Sequence, residues 1–153
     1  MIYNRVVIIV SITLISTMIG GATFQESEKI RLTWQPSLGD ARKEAKRLER
    51  PLMVFVCERV SFWSEKMEAT TFSESRVVTL LHDKFVLVKV FGEDNSELLK
   101  THDIDSFPTM FFESSVGRVL GDNHVGYRNP DAMVQVLTKT LNLSKQSQKE
   151  HKP

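Results

Sequence analysis

Cysteine is nearly absent from this sequence, and its scarcity limits the chemistry open to the protein. Cys57 is the sole cysteine among 153 residues, so no internal disulfide can form and the fold has to rest on its apolar core. The four histidines lack the spacing to cysteine or carboxylate side chains that metal sites show: His82, His102, His124 and His151. We therefore expect no metal and no cofactor. A Gly-x-Ser-x-Gly motif is also missing, which argues against a serine hydrolase.

The chain also has no large excess of positive or negative charge. Lys and Arg total 20 against 19 Asp and Glu, which gives a formal net charge of +1. Such a balance does not favour nucleic acid or a strongly acidic partner. Hydrophobic residues make up 41% of the chain, which is enough for one core, and the length suits one domain.

The first residues have the pattern of a targeting segment. Arg5 is followed by an uncharged apolar run, and then by the small residues of the stretch 20–22. This order is typical of a secretory signal peptide. Because no charge occurs between Arg5 and Glu26, an uncleaved membrane anchor is the alternative. Both interpretations predict an extracytoplasmic protein that touches a membrane only through residues 1–24, if these stay attached. Residues 25–143 would form the domain and residues 144–153 a flexible polar tail.

A strand, a short loop and a helix are predicted in succession in residues 51–72. The apolar run Leu52–Cys57 has the length of a buried strand. The charged residues Glu58 and Arg59 end this run, and apolar spacing typical of a helix begins at Ser61. This geometry places free backbone N–H groups and the positive end of a helix dipole at Ser61 to Ser64.

The other apolar patterns alternate between helix and strand. The predicted elements are a strand near Ile30–Thr33, a helix from Ser37 to Leu48, a helix capped by Ser73 after a break at Thr70–Thr71, a strand at Phe85–Phe91, a helix at Ser96–His102, a hairpin of Met110–Glu113 with Arg118–Leu120, and a last helix from Pro130. The charges of the first helix, Arg42 among them, are interpreted as a solvated surface. This order predicts an α/β fold with a central mixed β-sheet flanked by helices on both faces.

Three local motifs support a specific resemblance. They are Lys66-Met67-Glu68 just after the turn at Ser61–Ser64, Ser106-Phe107-Pro108-Thr109 before a strand, and Gly126-Tyr127 before Asn129-Pro130. Together they resemble the thioredoxin superfamily over roughly residues 32–143, in particular small extracytoplasmic thioredoxin-like domains such as the anterior-gradient type. The resemblance implies the thioredoxin fold, with a cis Pro108 lying against the turn. It also implies that the backbone of Phe107 pairs with a bound extended peptide.

The resemblance also identifies what this chain is missing. Thioredoxins that exchange disulfides carry two cysteines at the turn, and Ser61 and Ser64 occupy those positions here. Such proteins also keep a buried acid six residues before the first cysteine, where this chain has Phe55. A serine hydroxyl ionises far above a thiol and cannot form a disulfide. We therefore expect no dithiol oxidoreductase activity, and we expect Ser61 to act as a helix N-cap.

A surface for a polypeptide partner is the preferred interpretation of the same region. Val60, Phe62 and Trp63 flank the serines, and Phe107 and Pro108 would lie opposite. If these side chains converge, they form an apolar patch suited to non-covalent binding in a chaperone-like or adaptor role. The alternative is that the rings of Phe62 or Trp63 turn inward and join the core.

Cys57 leaves a second function open. A lone cysteine is usually a small buried hydrophobic residue, but an odd cysteine in a secreted protein can also pair with another molecule. The alternative function is therefore a single-cysteine thiol–disulfide protein that acts through Cys57. A purely structural role, as a spacer attached to a membrane, is a third possibility.

Overall fold

The structure is a computed structural model that describes residues 30–151, His151 by its backbone alone. The segment interpreted as a signal peptide or anchor, residues 1–24, lies outside the described residues. None of the helices in the described range is long and apolar enough to cross a membrane.

Five strands and five α-helices follow one another along the described chain. They are β1 Trp34–Gln35, α1 Leu38–Leu48, β2 Leu52–Cys57, α2 Phe62–Lys66, α3 Ser75–Lys84, β3 Val86–Phe91, α4 Ser96–Thr101, β4 Thr109–Glu113, β5 His124–Val125 and α5 Pro130–His151. A π-helical turn, Met67–Thr71, continues α2, and a 3-10 turn, Gly92–Asp94, follows β3.

The strands form one mixed sheet in the order β1-β3-β2-β4-β5. β1, β3 and β2 run parallel, whereas β4 is antiparallel to β2 and β5 is antiparallel to β4. This arrangement confirms the predicted α/β fold with a central mixed β-sheet.

Alternate residues of β2 build two separate cores, one on each face of the sheet. Met53, Phe55 and Cys57 face the core that contains buried residues of α3 and α5. Leu52, Val54 and Val56 face the core that contains buried residues of α1. All six side chains are fully buried, as the uninterrupted apolar run predicts for a central strand covered by helices on both faces.

Helix α1 has the ends that its sequence predicts. Ser37 is the N-cap, and its Oγ accepts a hydrogen bond from the Asp40 amide at 3.0 Å. Glu49 closes the helix in the left-handed conformation, with φ 53°, two residues before Pro51. The interpretation of the charged residues of this helix as a solvated surface is wrong for Arg42. Its guanidinium forms two hydrogen bonds, of 2.9 and 2.7 Å, with the carboxylate of Glu113.

Two predicted boundaries near the start of the domain are wrong. The first strand is Trp34–Gln35 rather than Ile30–Thr33, because Trp34 packs on two core rings and aligns its backbone with β3. The N-cap of α3 is Glu74 rather than Ser73, and its carboxylate accepts hydrogen bonds from two amides of the first turn. The expected break at Thr70–Thr71 is instead the π-helical turn.

The C-terminal part also departs from the prediction. Leu120 and Val119 make a short hairpin contact with β4, but the strand that extends the sheet is β5. The last helix continues to His151, so residues 144–151 belong to α5 rather than to a separate polar tail. Ser144 is buried and Gln148 donates a hydrogen bond to the Glu49 carbonyl at 2.9 Å, which attaches this end of α5 to the domain.

Candidate polypeptide-binding site

Ser61 begins helix α2 as its N-cap, which confirms the structural role expected from the sequence. Its backbone is extended, with φ −147° and ψ 114°, and its Oγ accepts a hydrogen bond from the Ser64 amide at 3.4 Å. The Ser61 carbonyl accepts a hydrogen bond from the Glu65 amide at 3.0 Å. The hydroxyl thus provides a hydrogen-bond acceptor for one of the N–H groups that have no partner inside the helix.

Ser64 lies beneath the turn, with 3% of its surface exposed. Its Oγ has no hydrogen-bond partner among the described residues. In the described range neither Ser61 nor Ser64 contacts a histidine or a carboxylate that could act as a general base. The geometry therefore offers no activated serine nucleophile.

An aromatic core occupies the place of the buried acid of redox-active thioredoxins. Phe55 is fully buried and meets Phe72 edge to face, with ring centroids 5.2 Å apart and an interplanar angle of 87°. Lys89 lies opposite Phe55 on the neighbouring strand β3, and its ammonium donates a hydrogen bond to the Glu68 carboxylate at 2.6 Å. Packed rings thus fill the position where the resemblance implies a proton-transfer acid.

The apolar residues at the turn point outward. Val60 is 87% exposed, Phe62 is 68% exposed and Trp63 is 49% exposed. The rings of Phe62 and Trp63 are in contact, with centroids 5.1 Å apart. The inward orientation considered from the sequence is therefore wrong for both rings.

Two residues that the sequence analysis did not assign to the site complete this surface. The ring of Tyr127 lies 5.9 Å from that of Trp63, centroid to centroid. The Lys66 ammonium lies 5.0 Å from the ring centroids of Trp63 and Tyr127 and 5.9 Å from that of Phe62. We call Phe62, Trp63 and Tyr127 the aromatic cluster. The spacing of Lys66, four and three residues after Phe62 and Trp63, could have indicated its position.

The loop that contains Pro108 adjoins the aromatic cluster. The peptide bond between Phe107 and Pro108 is cis, and the Pro108 carbonyl accepts a hydrogen bond from the Gly126 amide at 2.7 Å. Gly126 precedes Tyr127, so this hydrogen bond places the loop next to the backbone that carries Tyr127. In the described part of the chain, neither backbone group of Phe107 has a hydrogen-bond partner.

The side chains of Phe107 and Pro108 do not join the exposed patch as predicted. Pro108 is buried, and the ring of Phe107 packs against the α1-side core. This ring covers Gly92 so closely that a Cβ added there would lie 2.5 Å from the Phe107 Cζ. The ring of Phe107 is therefore part of the core packing rather than of the aromatic cluster.

Cys57 occupies a buried position at the end of β2. Its side chain is fully buried, and its thiol donates a weak hydrogen bond to the Val90 carbonyl at 3.8 Å. Burial raises the pKa of Cys57 to about 11. The neutral thiol therefore predominates at physiological pH, and the thiolate needed for disulfide exchange is scarce.

The described residues contain no group of three or more His, Cys, Asp or Glu side chains placed to hold a metal ion. His102 and His124 stack or pack on aromatic rings instead, and burial lowers the pKa of both imidazoles.

Comparison with known proteins agrees with this fold. A family model described as "Protein of unknown function, DUF255", with the short name Thioredox DsbH, matches residues 22–112. A search of curated proteins found no match.

Several solved structures share the fold. The DsbH oxidoreductase aligns with a TM-score of 0.66 and 20% identity, over 80% of this chain and 95% of its own. A thioredoxin from Thermus thermophilus aligns with a TM-score of 0.66 and 20% identity, over 76% of this chain and 91% of its own. A putative disulphide-isomerase from Bacteroides thetaiotaomicron aligns with a TM-score of 0.63 and 22% identity, over 74% of this chain and 96% of its own.

These low identities establish the fold and leave the activity to be argued from the site. Since the family model covers more than half of the sequence, and the sheet and helices are those of a thioredoxin-like domain, this chain belongs to the DUF255 family of thioredoxin-like proteins.

Proposed function

We propose that this domain binds polypeptide segments non-covalently, in a chaperone-like or adaptor role, without exchanging disulfides. The observation that carries the proposal is the exposed aromatic cluster on a turn that has hydroxyls in place of thiols. Phe62 and Trp63 remain 68% and 49% exposed although large rings generally prefer burial. Exposed aromatic patches of this kind often mark binding sites.

The backbone of Phe107 supports the choice of an extended polypeptide as the partner. Its N–H and C=O groups are without partners in residues 30–151, and the next residue, Pro108, accepts a hydrogen bond from the amide of Gly126, which precedes Tyr127. An extended segment can form backbone hydrogen bonds with such groups while its side chains contact the rings. Main-chain pairing of this type is tolerant of sequence, which suits a chaperone-like or adaptor role.

The absence of a redox role is part of the proposal. Ser61 and Ser64 cannot form the mixed disulfide that exchange requires, and Phe55 cannot transfer a proton. The alternative single-cysteine function gains no support, because Cys57 is fully buried and its pKa is about 11.

We also propose an extracytoplasmic location. The support comes from the start of the sequence, where Arg5 precedes an uncharged apolar run that ends in small residues. Mass measurement of the mature N-terminus would distinguish a cleaved signal peptide from a retained membrane anchor.

Binding to a permanently unfolded protein tests the proposal. Carboxymethylated lactalbumin is a suitable probe because its cysteines are blocked and cannot exchange disulfides. We expect the purified domain to bind it in fluorescence anisotropy titrations. The double variant Phe62→Ala with Trp63→Ala should weaken binding by about tenfold or more, the loss expected when aromatic anchors are truncated.

A matched control is available on the far side of the domain. Val116 and Val119 are 47% and 52% exposed and lie in the loop after β4, away from the turn. The double variant Val116→Ala with Val119→Ala should bind the probe as the unmodified protein does. Equal binding by the Phe62 and Trp63 variant, with its circular dichroism spectrum unchanged, would overturn the proposed site.

A further inference from the structure

Lys66 is the cation of the binding surface, and it is held in place by rings rather than by a carboxylate. Its ammonium lies 5.0 Å from the ring centroids of Trp63 and Tyr127. Within the described residues no carboxylate oxygen lies within 4.0 Å of it. Lys66 is half-buried beside the rings.

Two neighbouring cations are arranged differently. Lys89 bonds Glu68 at 2.6 Å, and the Arg59 guanidinium pairs with Asp94. Glu65 is exposed next to Lys66 in the helix but forms no ion pair with it in residues 30–151. Lys66 is therefore a cation of this surface that no carboxylate of the described residues neutralises.

This arrangement discriminates between partner charges. Aromatic faces attract cations, but here the Lys66 ammonium already lies over the three rings. A lysine or arginine of a partner would meet the like charge of Lys66, which is unfavourable at such a distance. A carboxylate would instead form a charge-assisted hydrogen bond with the ammonium.

We propose that the polypeptide segment bound at this site carries an aspartate or glutamate next to an apolar side chain. The apolar side chain contacts Phe62 and Trp63, and the carboxylate contacts Lys66. This inference rests on the proposed function and adds the chemical class of the bound segment. The net charge of +1 gives no hint of this preference, because it averages over the whole chain.

Three matched sets of short synthetic peptides test the inference. Every peptide contains the same Phe-Leu pair, flanked in the first set by Asp, in the second by Asn and in the third by Lys. Fluorescence anisotropy gives the dissociation constant of each. We expect the Asp set to bind about fivefold more tightly than the Asn set, as a part-exposed ion pair provides, and the Lys set to bind most weakly. The difference should shrink as salt is added.

Variants at Lys66 identify the origin of the preference. Lys66→Met keeps an apolar stem beside the rings but removes the charge, so it should bind the Asp and Asn sets equally. Lys66→Arg should retain the preference. Lys100→Met is the matched control, because Lys100 is exposed on α4 and forms no ion pair among the described residues.

The outcomes separate this inference from the proposed function. If unmodified protein binds the Asp and Asn sets equally, or Lys66→Met keeps the preference, the inference is overturned while the aromatic site stands. If every peptide set fails to bind although carboxymethylated lactalbumin does, the inference is overturned as well. If the unfolded protein also fails to bind, the proposed function itself is wrong.

Discussion

At the residue scale, the free thiol of Cys57 is a packing group of the core. Cys57 follows five buried residues of β2 and is itself fully buried. The raised pKa, about 11, follows from the loss of water around the sulfur. In the unfolded chain the same thiol ionises near its ordinary value of 9.0.

Two measurements follow from this difference in pKa. At neutral pH a maleimide should label Cys57 far more slowly in the native protein than in urea. As pH rises from 9 towards 11, the unfolded thiol loses its proton while the folded thiol keeps it, so the free energy of unfolding should fall. In Cys57→Ala this part of the fall should be absent. Rapid labelling of the native protein would contradict the buried position and favour the single-cysteine alternative.

At the element scale, α1 is attached to the sheet by a charged pair as well as by apolar packing. Arg42 holds Glu113, whose side chain is 2% exposed, across 71 positions of sequence. Removing the guanidinium leaves a buried carboxylate without its partner, which is costly in a protein interior.

The variant Arg42→Met should therefore lower the free energy of unfolding by about 2–3 kcal/mol. Adding Glu113→Leu to it should restore part of that loss, since no buried charge then remains. Arg47→Met removes the exposed Arg47–Glu44 pair of the same helix and should leave stability nearly unchanged. Urea titrations followed by circular dichroism measure all three, and equal losses for Arg42→Met and Arg47→Met would contradict the buried pair.

Short-range patterns predicted the elements, and long-range contacts explain what they missed. The apolar run of β2 and the cap of α1 depend on adjacent residues, so both could be predicted. The outward orientation of Phe62 could not, because α2 has too few residues for a helical period to define a buried face. The inward ring of Phe107 depends on the missing side chain of Gly92, which only the folded chain brings near.

The sequence predicted some residues of the candidate site and missed others. Ser61, Ser64, Phe62 and Trp63 came directly from the motif positions. Tyr127 was noted as part of a motif but not as a site residue, because its contact with Trp63 joins α2 to the loop before α5. The continuation of α5 to His151 was missed because its end contacts Glu49, far away in sequence.

At the scale of the whole molecule, the thioredoxin scaffold is retained while the groups that exchange disulfides are not. The strand, turn and helix that position two thiols in redox-active thioredoxins are present, with Ser61 and Ser64 in the two places. If the scaffold and the chemistry are separable, as the proposed function requires, cysteines placed at these positions should give disulfide-exchange activity.

The double variant Ser61→Cys with Ser64→Cys tests this separation. We expect it to form an internal disulfide and, once reduced, to reduce insulin disulfides. Its rate should stay below that of an ordinary thioredoxin, because Phe55 cannot transfer protons as a buried acid does. Neither single variant should be active, since each lacks the second thiol that resolves the mixed disulfide.

The most direct test of the central claim is the insulin reduction assay on the unmodified protein, with the double cysteine variant as the positive control. A binding domain with hydroxyls at the turn and a buried Cys57 should show no reduction above the reductant-only background. Reduction by the unmodified protein at the rate of a dithiol enzyme would contradict the claim.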